Sequence, residues 1–309
     1  MQGTTSIKVV GIGGSGGNAV NRMMACKIQG VELIALNTDV QDLKKIKAHK
    51  KIQIGRELTR GLGAGMDAET GQKAAEEQRE EIQEALKGAD MVFVAYGAGG
   101  GTGSGAGPVA AQVAKKLGAL VIGVVTKPFS FEGEFRARIA QKGIQNLKEN
   151  VDTLLVIPND KLLEMIDKDT TVSSAFWMCD ETLRQAVQGI SDLIVLPGIV
   201  NVDFADIRTV IKNSGPAILG IGKASGDRRA LSAANQAINS PLLDAGIEGG
   251  RAALFNVSGG QDMTLSEIEE ITRTITQKLH PQAKVIFGAV YDKKLRKGEL
   301  KVTLIATGF

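Results

Sequence analysis

Two glycine-rich segments, one helical face and one acidic pair are the parts of this 309-residue sequence whose residue types and spacing could do chemistry. An apolar run over residues 7–10 passes into Gly11, Ile12, Gly13, Gly14, Ser15, Gly16, Gly17 and Asn18, and then into a helical stretch over 19–27. A glycine turn that opens a helix leaves backbone N–H groups and the positive end of the helix dipole facing outward. No side chain then holds an anion away, which is the chemistry of phosphate binding. A tight strand-to-helix turn without a ligand uses the same glycines. Asp39 follows at the distance where a dinucleotide site places its ribose acid, so NAD competes for this loop taken alone.

A second loop removes that tie. The apolar run over 90–96 leads into Gly97, Ala98, Gly99, Gly100, Gly101, Thr102, Gly103, Ser104 and Gly105, with a helix expected from near Pro108. One dinucleotide needs only one such loop. Thr102 and Ser104 add hydroxyls available to a phosphate or a bound Mg²⁺. No Lys-Ser/Thr pair follows the glycines, so this is not a P-loop. Valine at Gly100 or Gly101 is expected to abolish phosphate binding and leave the fold intact, because only glycine lets the backbone approach so closely.

Phe176, Asp180 and Arg184 are spaced i, i+4, i+8 and share one face of a helical stretch over 171–196. A ring there can stack on a base while the carboxylate accepts hydrogen bonds from guanine N1 and N2, donors that adenine does not present together. Taken alone, Phe176 reads more simply as core. Asp203 and Asp206 lie i, i+3 at the start of a helix expected over 203–213, where plain capping accounts for both: Asp203 as N-cap, Asp206 against the helix dipole.

These residues need a scaffold. Apolar runs at 7–10, 32–36, 90–96, 119–125 and 153–157 read as buried strands alternating with helical segments, the clearest over 68–87, which is the pattern of a parallel sheet covered on both faces. After the long helix, which Pro197 and Gly198 should end, a smaller mixed unit is expected. Its helices fall near 203–213, 228–239 and 265–279, and its strands near 217–222, 252–257, 284–291 and 300–306. The last two strands are close enough in sequence to form a hairpin.

Composition excludes several classes. Apolar residues at 43% and charged residues at 23% describe a soluble globular chain, and aromatics at 4% leave little to stack along a nucleic-acid strand. The net charge of +3 is interleaved along the chain. Cys26, Cys179, His49 and His280 have no zinc-ligand spacing, and the two cysteines form no disulfide framework. The longest apolar run, near 117–125, is too short to span a membrane, and no signal-peptide pattern opens the chain, so a cytosolic protein is expected.

Residues 99–105 resemble the phosphate loop of the tubulin superfamily. Segments 11–21, 37–39, 61–65, 127–133, 156–160, 188–194, 201–206 and 305–309 are similar, in order and over nearly the whole chain, to the FtsZ family of bacterial cell-division proteins. The resemblance implies an α/β tubulin/FtsZ fold. A Rossmann-like parallel-sheet GTPase domain would occupy 1–170 and a central helix 171–197. A smaller α/β C-terminal domain over 198–309 would carry the catalytic loop at its start. It also implies head-to-tail self-assembly into protofilaments and hydrolysis of GTP to GDP and phosphate, activated by that assembly. On the positions that match, Gly13, Gly14 and Asn18 would meet the α and β phosphates. Gly99, Gly100, Gly101, Thr102 and Gly103 would meet the β and γ phosphates, with Gly97 also at the nucleotide and Ala64 and Gly65 near the γ phosphate.

The same resemblance gives Glu132 and Arg136 the ribose and nearby phosphate, Asn159 the sugar and base edge, and Phe176 and Asp180 the base. Asn201, Asp203 and Asp206 would enter the nucleotide site of the next subunit, where the acids orient the attacking water. Mg²⁺ is expected mainly through the phosphates, with no protein ligand set. Division adaptors are expected to bind a C-terminal tail beyond Phe309, with no nucleic-acid partner and no membrane insertion, at a mid-cell ring in the cytoplasm. Three positions depart from the family pattern: Ser104 in place of Thr, Met66-Asp67-Ala68 where a small residue, Asn or Asp, and Pro are usual, and Gly226-Asp227-Arg228-Arg229-Ala230 in place of Gly-Glu-Asn-Arg-Ala. The Met66 segment is the one hint of a scaffold that binds nucleotide and hydrolyses little.

Overall fold

The computed structural model describes residues 5–164, 169–196, 198–242, 246–292 and 294–309, so Pro197, expected to help end the long helix, lies outside the described residues. The chain forms two compact units, Met1–Val187 and Gln188–Phe309.

In the first unit the order along the chain is β1 (Ile7–Ile12), α1 (Gly13–Ala25), β2 (Val31–Asn37), α2 (Val40–Lys45), β3 (Lys50–Gln53), α3 (Ala68–Glu77) and α4 (Arg79–Leu86). Then come β4 (Met91–Gly97), α5 (Gly101–Lys116), β5 (Leu120–Lys127), α6 (Glu134–Lys148), β6 (Thr153–Pro158), α7 (Asn159–Leu163) and α8 (Val172–Val195), which runs on into the second unit. The strands pair in the order β3-β2-β1-β4-β5-β6, every pair parallel. β1, β4 and β5 are buried almost throughout, which is why their sequences are near-continuous apolar runs.

The chain winds outward from β1 through β2 to β3, then returns to the other side of β1 as β4. The neighbours β1 and β4 therefore send their connections opposite ways, and a crevice opens beyond their carboxyl ends. α1 and α5 begin there. Glycine makes the close approach possible: a Cβ on Gly16 would come within 2.4 Å of Ala95 O on β4, and one on Gly11 within 2.2 Å of Gly16 O.

Several boundaries differ from the sequence expectation. The helix expected over 68–87 is broken at Gln78, whose backbone (φ −104°, ψ 25°) leaves the helical region; its side chain accepts from Gly55 N–H instead. α1 starts at Gly13 and α5 at Gly101, so the glycines are the first helical turns and Pro108 lies inside α5. Helix propensity places glycine outside helices, and tertiary packing overrides it here.

The second unit contains α9 (Phe204–Ile211), β7 (Gly215–Ser225), α10 (Arg229–Ile238), β8 (Ala252–Gly259), α11 (Leu265–Thr276), β9 (Lys284–Tyr291) and β10 (Glu299–Thr307). Its strands pair in the order β7-β10-β8-β9, with β10 antiparallel to both β7 and β8 and β9 parallel to β8. The expected β9–β10 hairpin is thus absent. β8, α11 and β9 form a parallel crossover that carries β9 to one side of β8. β10, the more thoroughly buried strand, lies on the other. α10 lays Ala230, Ala233, Ala234 and Ala237 against the sheet, with Gly220 and Gly222 of β7 beneath: a Cβ on either would meet an α10 carbonyl at 2.0 Å. Among the described residues no helix is long and apolar enough to cross a membrane.

Candidate functional site

A cavity of about 400 Å³ opens where α1 and α5 begin. Gly13, Gly14, Ser15 and Asn18 line it from the first loop, and Gly97, Ala98 and Gly100 to Gly103 from the second. Gly13 (φ +70°) makes the left-handed step from β1 into α1, a conformation glycine adopts freely. The N-cap positions of the two helices, Ile12 and Gly100, supply no side-chain hydrogen bond. By contrast α2, α3, α9 and α11 are capped by Asp39, Asp67, Asp203 and Thr264. The first-turn N–H groups of α1 and α5 are therefore unclaimed by any cap, and two positive dipole ends share one cavity. A larger groove of about 710 Å³ between α3, α5 and α6 has no such convergence.

Not every expected residue reaches the cavity. Ser104 does not line it; its hydroxyl accepts from Gly99 N–H at 3.0 Å, so it braces the loop and is not a phosphate ligand. Thr102 does line it, with its hydroxyl 2.8 Å from that of Thr38. Gly99 (φ +99°) serves the turn, where a Cβ would meet Arg136 O at 3.1 Å. Gly65 does not line the cavity, and neither does Ala64, although a Cβ on Gly101 would come within 3.0 Å of Ala64 Cβ. The same Cβ would meet Asp67 N at 2.7 Å and O at 2.8 Å, so valine at Gly101 disturbs the fold. Gly100 has no atom within 4 Å of its would-be Cβ and remains the clean position. Asp39 caps α2 through Gln41 N and Asp42 N and does not line the cavity, which leaves the dinucleotide reading without its ribose acid.

A second set of residues supplies polar and aromatic groups. Glu132 pairs with Arg136 and also accepts from Phe129 N–H at 2.9 Å, so one short turn fixes both ionic side chains at the cavity wall. Asn159, 5% exposed, lines the cavity with its Oδ1 lacking any partner, a buried acceptor that a ligand donor would satisfy. Phe176 stands edge-on to Phe129 at 5.4 Å between ring centroids, and Phe129 stacks on Phe131 at 4.9 Å. Phe176 keeps 39% of its surface exposed, so it is not a core residue.

Asp180 is buried, accepts from Ser15 Oγ at 3.1 Å, and lies 3.8 Å from Arg22 Nη2. Burial pushes its carboxyl up to about 6, against the Ser15 bond, the Arg22 charge and a bond from Asn18. Arg184 turns instead to Glu181 at 2.5 and 2.8 Å and does not line the cavity. Sequence reasoning gave no site role to Ile12, Ser15, Ala98, Thr126, Pro128 and Cys179, all of which line the cavity. Burial holds the Cys179 thiol up to about 12, so it is an apolar wall and no nucleophile.

Asn201, Asp203 and Asp206 belong to the second unit and are exposed. Asn201 accepts from Gly198 N–H at 2.7 Å, and Asp203 Oδ1 caps α9 through Ala205 N–H at 3.0 Å. Asp206 lies in the first turn of α9. Among the described residues no group of three or more His, Cys, Asp or Glu is placed to hold a metal ion.

The family model described as Tubulin/FtsZ family, GTPase domain, matches residues 6–167, and FtsZ family, C-terminal domain, matches residues 215–309. An FtsZ dimer from M. jannaschii, described as empty, is 45% identical with a TM-score of 0.96, covering 100% of this chain and 89% of that one. The GTPγS-bound protofilament of CetZ2 from Haloferax volcanii is 22% identical with a TM-score of 0.80 over 98% of this chain and 92% of that one. The GDP-bound monomer of CetZ1 from the same organism is 24% identical with a TM-score of 0.83 over 99% and 94%. At these lower identities the shared property is the fold.

Proposed function

Since this chain belongs to the tubulin/FtsZ family, we propose that it binds GTP in the α1–α5 cavity, stacks head to tail into protofilaments and hydrolyses GTP where two copies meet, as a cytoplasmic polymer of cell division. The observation that carries the GTP site is the pair of uncapped, glycine-opened helix N-termini facing one cavity that also holds Asp180. Backbone N–H groups from Gly13, Gly14 and Gly100 to Gly103 would bind the phosphates. Glu132, Arg136 and Asn159 would take the ribose and base edge, and Phe176 and Asp180 the guanine.

Hydrolysis splits the bond between the γ phosphorus and the bridging oxygen as water attacks in line, giving GDP, phosphate and a proton. Such a reaction needs positioning and charge stabilisation more than covalent chemistry. The N–H groups supply the second, and Asp203 and Asp206 of the next copy, with Asn201 shaping their loop, would orient the water. The carboxylates in the cavity wall are engaged, Glu132 with Arg136 and Asp180 with Ser15, so a Mg²⁺ would rest on phosphate oxygens and supply neutralisation of the diphosphate leaving group.

Competition titration tests the nucleotide choice. The ionised Asp180 accepts from guanine N1 and N2, and adenine leaves it unmatched. Replacing Asp180 with alanine is expected to lower GTP affinity by roughly 100-fold or more, since hydrogen bonds to a charged group contribute about 1.5–3 kcal/mol each, and to leave ATP affinity unchanged. Equal affinity of the unaltered protein for the two nucleotides would sink the assignment.

A further inference from the structure

Arg22 lines no part of the cavity, yet three observations tie it to Asp180. Its guanidinium carbon lies 4.7 Å from the centroid of the Trp177 ring. Its Nη2 is 3.8 Å from Asp180 Oδ2, beyond hydrogen-bond length. Its Nε is buried and has no hydrogen-bond partner. Trp177, Asp180 and Glu181 are i, i+3, i+4 on α8, one side of that helix. Ser15, Asn18 and Arg22 are i, i+3, i+7 on α1; the first two hydrogen-bond Asp180 and the third acts on it through its charge. A guanidinium serving only to pin two helices would spend its N–H groups on fork hydrogen bonds. This one leaves a buried donor unspent and sits over an aromatic face, with its charge 3.8 Å from a carboxylate to which it makes no hydrogen bond.

We propose that Arg22 sets how strongly the site selects guanine, as a positioning residue that acts through Asp180 without contacting the nucleotide. The proposal rests on the GTP reading of the cavity. A carboxyl as deeply buried as Asp180 tends toward its neutral form, and a protonated Asp180 presents a donor to N1–H and loses the match. Ser15 and Asn18 donate to it, but among the described residues Arg22 is the one that brings a positive charge. Of the other charged groups nearby, Glu181 on α8 is paired with Arg184, and Glu132, which acts on the neighbouring Cys179, is paired with Arg136. Trp177 fixes the height of the guanidinium, since the planar cation is attracted to the ring face.

The test compares the unaltered protein with Arg22→Met, which keeps an aliphatic stem over Trp177 and loses the charge, and with Arg22→Lys, which restores the charge. In nucleotide-free protein the carboxyl carbon of Asp180 is titrated by NMR. The expected midpoint is about 6 in the unaltered protein and near it in Arg22→Lys. In Arg22→Met it should lie about one to three pH units higher, the effect of an opposite charge at this range. GTP affinity of Arg22→Met at pH 7 should then fall by about 2- to 100-fold and recover as pH rises past the new midpoint, with ATP affinity unmoved. An Asp180 midpoint that does not move in Arg22→Met overturns the proposal whatever the cavity binds, because that titration contains no nucleotide. GTP affinity reduced by the same factor at every pH would make Arg22 a structural brace and overturns it as well. A moved midpoint in a protein with no preference for GTP over ATP would refute the guanine reading itself, and the selection role with it.

Discussion

Asp206→Ala is expected to keep GTP bound and to lose its hydrolysis. The cavity is lined entirely from the first unit, so removing a carboxylate at the start of α9 takes nothing from the protein's own nucleotide site. If that carboxylate orients water on the neighbouring copy's GTP, turnover should fall by about 100-fold or more, the scale on which loss of a positioned transition-state group acts. The stability change should be small. Asp203, not Asp206, caps the helix by accepting from Ala205 N–H, and a first-turn acid contributes only about 0.3–1 kcal/mol through the helix dipole. A purely structural Asp206 predicts near-normal turnover in the folded mutant. Measuring GTP affinity, phosphate release and thermal unfolding on one preparation separates the two.

Gly100→Val should have the complementary effect, abolishing GTP binding in a protein that still folds. The backbone of Gly100 (φ −89°) suits any L-residue, and its added Cβ meets no atom within 4 Å. The isopropyl group therefore stands in the space in front of the α5 N-terminus, where a phosphate must approach. Losing two or more charge-assisted hydrogen bonds lowers affinity by at least about 100-fold. Gly101→Val is the internal control. Its Cβ falls against the Asp67 backbone, so it should cost about 1–3 kcal/mol of stability through overpacking and lower Tm by several degrees. Isothermal titration with GTP, beside thermal melts of both variants, reads this out. A folded Gly100→Val protein that still binds GTP would show that the α5 entrance is misassigned.

The parallel sheet was legible because buried parallel strands read as unbroken apolar runs, and the two phosphate-facing loops because glycine in that density has few other uses. The glycines as helical residues were not legible. Propensity argues against a helix through Gly13 to Gly17 or Gly101 to Gly107, and only close packing against β4 and α3 makes those turns helical. The break at Gln78 was hidden for the opposite reason, since residues 68–87 are all compatible with helix and the interruption comes from a contact with Gly55. The hairpin expected for the last two strands failed because sequence proximity says nothing of which strand is more deeply buried. At the site, the Phe176–Asp180 spacing pointed to one helical face, but Ser15, Asn18 and Arg22 stayed unread as its counterpart because their partner lies more than 150 residues along the chain. Ser104 shows the converse: a hydroxyl in a phosphate loop looks like a ligand until its bond to Gly99 N–H is seen.

The central claim is that GTP is hydrolysed between copies and not within one. It is tested most directly by GTP turnover per subunit across a protein dilution series, with assembly followed by sedimentation in the same samples. A site completed by the next copy predicts turnover that rises steeply with concentration, in step with the sedimenting fraction, and that nearly vanishes in dilute monomer. Demonstrably monomeric protein that hydrolyses GTP at the full assembled rate would contradict it.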